Sequence, residues 1–146
     1  MYKLLSDKKQ LILLETTTFN DCKLKERFDL QEWIRNDPDV LGEKLLIIQK
    51  EFDGFQETRE RLDLLAIDKK GNLVIIENKT DDSGKDAVLQ SLKYAAYCYS
   101  LQREDIIKIY TEYLVKHGNG VVDTVNSLKS FLEISDLSEI ELNKEN

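Results

Sequence analysis

One histidine, one proline, one tryptophan, one methionine and two cysteines are all that this chain of 146 residues holds of those types. A single histidine, His117, excludes His-rich zinc sites and argues against a Ser–His–Asp triad. Cys22 and Cys98 stand too far apart in sequence to share a metal-ligand spacing. No run approaches the roughly 18 apolar residues that a membrane-spanning helix needs. The opening MYKLLSDKKQLILLE breaks its apolar residues with Asp7, Lys8 and Lys9, unlike a secretory signal. Without such a signal, the cysteines are expected to be free thiols in a reducing cytoplasm. What is present is 41% hydrophobic and 34% charged residues, the balance of a globular chain. The length suits one domain with a genuine core.

Basic charge is also short. The net charge is −7, which argues against a partner held by bulk attraction to phosphate. The acid is uneven, however. Phe131 to Asn146 holds five acids (Glu133, Asp136, Glu139, Glu141, Glu145) and one base, Lys144, so −4 of the −7 lies there. That composition predicts a solvated, frayed end. The expected organisation is an N-terminal extension over 1–20, a domain over 21–135 and an acidic tail over 136–146.

Residues 2–18 read as a short helix or strand followed by the strand-like TTTF. Over 24–35, Leu24, Phe28, Leu30, Trp33 and Ile34 make an approximate helical stripe, closed by Asn36-Asp37-Pro38. Leu45–Phe52, Leu62–Ile67 and Leu73–Glu77 are predicted strands, joined by connections short enough for antiparallel pairing. Helices follow at about 85–101, 104–116 and 121–133. His117-Gly118 closes the second of these, where a cationic side chain is favoured. The fold class is therefore α/β, with a small mainly antiparallel or mixed sheet of three to four strands flanked by helices on both faces.

The turn between the last two strands sets a register. Lys69-Lys70-Gly71 fits a three-residue hairpin loop with glycine in the left-handed third place. Asp68 then pairs with Asn72, Ile67 with Leu73, Leu65 with Ile75 and Asp63 with Glu77. Lys79 falls on the same face, two residues beyond Glu77. Both faces are apolar at the centre, so both are expected to be covered. At one end a face breaks into Asp63, Glu77 and Lys79. Opposed carboxylates repel, and a cation between them removes the conflict. Oxygen ligands suit Mg²⁺ or Mn²⁺. The competing reading is an ion-pair cluster at the sheet rim, Lys79 neutralising its neighbours.

In the long helix, Val88, Leu92, Ala95 and Tyr99 are predicted to face the core. Gln90 and Tyr94, one turn apart on another face, can donate hydrogen bonds to a phosphate or a bound water. Cys98 reads as a buried small hydrophobe.

Asp63, then Glu77-Asn78-Lys79, then Gln90-Ser91-Leu92-Lys93-Tyr94, within RLDLLAIDKKGNLVIIENKT and LQSLKYAAYC, resembles the PD-(D/E)XK, or restriction-endonuclease-like, nuclease superfamily, and within it the NucS-like branch. KERFDLQEWIRNDPDVLGEKLLII resembles the first helix and strand of such proteins, so the resemblance spans about residues 22–115. It implies a DNA endonuclease of a defence, repair or recombination context, using Mg²⁺ or Mn²⁺. Asp63 and Glu77 would bind the metal with the Asn78 carbonyl, and Lys79 would orient water or stabilise developing charge. Gln90 and Tyr94 would support the site, and Glu26 would add a further acid, with Glu32 and Glu43 as rivals. Two departures stand out. Asn78 occupies a place that is usually apolar, and a fourth strand after the long helix could come only from a short piece such as 120–122 or 139–142. The chain would then be a fragment, or leave a sheet edge open, or form a homodimer. The alternative reading is an inactive nucleic-acid-binding or protein-interaction module on the same fold. Lys3, Lys8, Lys9, Lys23, Lys25, Arg27, Arg35, Arg59, Arg61 and Lys85 are candidate phosphate partners.

Overall fold

A computed structural model describes residues 1–53, 61–80, 84–117 and 123–143; the side chains of 84–86 lie outside the description. The centre is a three-stranded antiparallel sheet in the order β3 (Leu45–Phe52), β4 (Leu62–Asp68), β5 (Leu73–Ile76). The register of β4 with β5 is the one the turn predicts: Ile67 opposite Leu73, Leu65 opposite Ile75. Gly71 takes a left-handed φ of 85° and the Asp68 amide donates to the Asn72 carbonyl at 3.0 Å. Asp68 completes the turn by accepting from the Lys70 and Asn72 amides, both at 2.8 Å.

β4 is buried on both faces, Leu64 and Ala66 on one and Leu65 and Ile67 on the other. Such a strand is stabilised from two sides, and its near-continuous apolar run reflects this. β3 carries a bulge at Ile48, between the pairs Ile47–Ala66 and Gln49–Leu65, which lets two successive side chains of one strand reach the core.

Helices α1 (Gln31–Asn36), α2 (Gly84–Cys98) and α3 (Arg103–His117) pack against β4, β5 and β3 respectively, and α4 (Thr124–Leu132) packs against α3. The chain is thus α/β with a three-stranded antiparallel sheet and four helices among the described residues. No described helix is long and apolar enough to cross a membrane. Tyr113 accepts at its carbonyl from His117 Nδ1, at 3.1 Å, on the last turn of α3.

Three expectations are corrected. On α2 the buried face is Tyr94 and Cys98, with Tyr97 beside them, whereas Val88, Leu92, Ala95 and Tyr99 are exposed. Both stripes are apolar, so periodicity identifies a helix without choosing its buried side. Before α1, Glu26–Leu30 forms a π-helical turn, which shifts the phase of the stripe. Phe28 and Trp33 consequently face solvent while Gln31 and Ile34 are buried. As far as Asn143 the C-terminal segment is packed rather than frayed. Leu137 and Leu142 are buried, Arg103 donates to the Ile140 carbonyl at 2.9 Å, and the Asn143 amide donates to the Gly71 carbonyl at 2.9 Å. Residues 139–142 add no strand to the sheet, and 120–122 lie outside the described residues, as do Arg59, Lys144 and Glu145.

The N-terminus forms a separate hairpin, β1 (Tyr2–Leu5) with β2 (Gln10–Leu13), while TTTF takes no strand.

Candidate functional site

The β4–β5 register carries Asp63 and Glu77 to opposite places just past the last ladder pair, Leu64 with Ile76. There the backbone pairing ends and side chains take over. The Asn78 amide donates to Asp63 Oδ2 at 2.8 Å. Lys79 Nζ donates to Glu77 Oε1 at 3.1 Å and stands 3.7 Å from Glu26 Oε1. The Thr80 amide donates to Glu26 Oε2 at 3.2 Å. Four of the predicted residues (Glu26, Asp63, Glu77 and Lys79) thus meet at one rim of the sheet. Of the three rival acids Glu26, the first residue of the π-helical turn, is the one brought here, beside Lys79 and Thr80 just beyond β5. Glu32 is engaged by Arg35 and Lys50 instead.

The electrostatics follow from burial. Glu77 exposes only 6% of its side chain, and its Oε2 is buried without a hydrogen-bond partner. Burial raises the Glu77 carboxyl above its ordinary range, and the charge of Asp63 raises it further, against the pull of Lys79. Asp63 is likewise raised by burial, partly offset by the Asn78 amide and by Lys79. Burial alone would lower the Lys79 ammonium, but Glu77, Glu26 and Asp63 together raise it. A pair of desolvated carboxylates with an orphaned oxygen is a place where added positive charge is favourable.

Oxygen donors of this kind fit a hard divalent cation. Asp63 and Glu77 could hold one between them. Among the described residues, however, no group of three or more His, Cys, Asp or Glu side chains is placed so that it could hold a metal ion. The third acid, Glu26, is taken up by Lys79 and Thr80. Asn78 meets Asp63 through its amide, and its buried side-chain Nδ2 lacks a partner.

The helical pair divides. Tyr94 is buried, and its hydroxyl donates to the Arg61 carbonyl at 3.1 Å, tying α2 to the start of β4 two residues before Asp63. Gln90 carries a buried Oε1 with no hydrogen-bond partner.

Two contributors were not legible in the sequence. Gln31 is 1% exposed and donates Nε2 to the Asp63 carbonyl at 2.9 Å, fixing the backbone of that residue. Glu51, across β3 from Asp63, holds a left-handed φ of 51°. A non-glycine residue there is strained by about 1–3 kcal/mol, and such strain clusters at functional sites. Arg27 clamps Glu51 with two 2.6 Å hydrogen bonds, and Arg61 lies 3.6 Å from it. Both contributors depend on contacts distant in sequence and have no local signature. Arg27, Glu32, Lys50, Glu51, Lys116 and His117, with Phe28, line a groove here.

Comparison with family models, with curated proteins and with solved structures returns no match for this chain.

Proposed function

We propose that the chain is a nuclease dependent on Mg²⁺ or Mn²⁺, hydrolysing phosphodiester bonds in DNA. The observation that carries this reading is the convergence of Asp63, Glu77, Glu26 and Lys79 on one sheet rim, with a buried carboxylate oxygen left unpaired. The restriction-endonuclease-like core that the motif spacing resembles is part of the same proposal.

Asp63 and Glu77 would hold the cation, which when bound supplies Lewis acidity to a phosphate and lowers the pKa of a water. The chain's own residues do the rest. Lys79 offers its ammonium to charge that develops on the phosphate, in a setting drier than bulk water. Gln31 holds the Asp63 carbonyl and Tyr94 the Arg61 carbonyl, fixing the backbone where β4 begins. The cations of the neighbouring groove, Arg27, Lys50 and Lys116, suit a nucleic-acid backbone, although Glu51 and Glu32 partly neutralise them.

A second reading, an inactive module on the same fold, is favoured by the ion pairs of Lys79 with Glu77 and Glu26. Titration with Mn²⁺, followed by incubation with single-stranded, branched and mismatched DNA, separates the two. The wild type is expected to bind metal and cut. Asp63→Ala and Glu77→Ala are expected to lose both, and Lys79→Ala to bind metal but cut at least ~10²-fold more slowly. Equal behaviour of wild type and Glu77→Ala would remove the enzyme. Failure to retain DNA at low salt would remove the nucleic acid as well.

A further inference from the structure

The groove beside the rim is locally positive in a chain whose net charge is −7. Arg27, Lys50 and Lys116 line it together with Glu32 and Glu51. Each glutamate is held by two cations, Glu32 by Arg35 and Lys50, Glu51 by Arg27 and Arg61. With Lys116, five cations thus meet two acids, a surplus of three positive charges. Phe28 presents a ring to the same groove, 68% exposed, with Lys25 Nζ 6.0 Å from its centroid. Successive residues of the π-helical turn divide their tasks: Glu26 reaches the rim, Arg27 reaches Glu51 and Phe28 faces the groove. No residue of that turn is buried, so core packing does not account for it. Turns of this kind are rare and gather at functional sites, as does backbone strain like that at Glu51.

We propose that this groove is a nucleotide site, the base stacking on Phe28 and the phosphate held by Arg27, Lys50 and Lys116. Every base has a flat π face that an aromatic side chain can carry, and a phosphate is a target that arginine and lysine meet with charge-assisted hydrogen bonds. The two glutamates do not cancel the site. They fix the cations beside it, and the surplus still exceeds the charge of about −2 on one terminal phosphate. The groove encloses about 370 Å³, at the lower end of the roughly 300–1,000 Å³ of small-molecule sites, which suits one nucleotide unit rather than a duplex. That unit is either a free nucleotide or one nucleotide splayed out of a strand. The inference goes beyond the nuclease reading and does not rest on it, because stacking and phosphate contact need neither a cation at Asp63 nor cleavage.

The test uses the full chain in EDTA, so that nothing is cut. Adenosine monophosphate is titrated against ribose 5-phosphate, and a labelled thymidine hexanucleotide against the same hexamer without bases. A base-bearing ligand is expected to bind at least ~5-fold tighter than its baseless counterpart, the effect of one stacked base. Phe28→Ala is expected to abolish that preference and Phe28→Trp to keep it, whereas Lys116→Ala should weaken both members of a pair alike. Both side chains are exposed, so the variants leave the core untouched. A preference shown by the mononucleotide identifies a free nucleotide as the source. A preference shown by the hexamer alone identifies a strand, and Lys116→Ala should then lower its salt slope by about 0.7, one single-strand phosphate contact. The proposal is overturned if neither base-bearing ligand binds tighter than its counterpart, or if Phe28→Ala retains the preference. Cutting in Mn²⁺ is read separately. A chain that stacks a base but cuts nothing would remove the nuclease and leave this site, and a chain that cuts without any preference for a base would do the reverse.

Discussion

The chain contains two antiparallel hairpins, and they are stabilised very differently. β4–β5 turns through Gly71 at the core, with β4 buried on both faces and its far end carrying the acids. β1–β2 has an equally regular ladder, yet nearly every side chain faces solvent. The comparison separates pairing from packing. Backbone hydrogen bonds are present in both and contribute modestly in net terms, because water competes for them. What differs is the apolar surface removed from water. The packed hairpin can therefore hold two carboxylates in an unfavourable juxtaposition, and the exposed one has no such reserve.

The sharpest way to break this comparison is to truncate a matched leucine in each. Leu64→Ala in β4 is expected to destabilise by about 2–5 kcal/mol, since it leaves a cavity under two layers. Leu4→Ala in β1 is expected to change stability by no more than ~0.5 kcal/mol, since its side chain already faces water. Urea unfolding midpoints at low micromolar concentration decide it. Comparable losses would mean that the first hairpin is packed after all.

A smaller effect tests how the C-terminal segment secures the second hairpin. Gly71 and Gly42 both hold left-handed φ values, 85° and 88°. A Cβ at Gly71 would lie 3.0 Å from Ile140 Cδ1 and 3.2 Å from Leu142 Cδ2, whereas at Gly42 it would meet nothing within 4 Å. Gly42→Ala carries the backbone penalty alone, about 1–2 kcal/mol. Gly71→Ala carries the same penalty and must also push the segment back. It is expected to cost more, and to speed hydrogen exchange at the Asn143 amide.

The same contrast shows what the sequence could disclose. The β4–β5 register was legible because glycine in the third loop position fixes the pairing, and the pairing alone sets Asp63 opposite Glu77. The three strands and the helices of the body followed from local periodicity and their boundary residues. The buried side of α2 was not legible, because Val88–Leu92–Tyr99 and Tyr94–Cys98 are both apolar and only tertiary contact chooses between them. The π-helical turn at Glu26–Leu30 was hidden for a related reason, since one extra residue per turn leaves no compositional mark. The packing of Leu137 and Leu142 was masked by the acids around them. Gln31, which holds the Asp63 carbonyl, and Glu51, which Arg27 clamps, depend on chain closure that no local pattern encodes.

The smallest expected effect bears on the acids themselves. Both Asp63 and Glu77 have carboxyl groups raised by burial in the folded chain. A raised carboxyl means that the folded state binds more protons than the unfolded state between the ordinary carboxylate range and the raised value. Their contribution to stability is therefore present in full at low pH and is lost as pH rises through that window. Glu77→Gln removes one charge of the repelling pair while preserving shape. Lys79 loses its closest partner, but it keeps Glu26 at 3.7 Å and partial access to water. The variant is expected to be more stable than wild type by about 0.5–2 kcal/mol at pH 7, and the difference should shrink below the ordinary carboxylate range. Saturating Mn²⁺ should reverse the order, since a cation at a hundred times its dissociation constant adds about 2.7 kcal/mol to the form that binds it. If unfolding midpoints show Glu77→Gln less stable at pH 7, then the pair of Glu77 with Lys79 outweighs the repulsion. The rim would then be a structural ion-pair cluster, built for stability rather than for a cation.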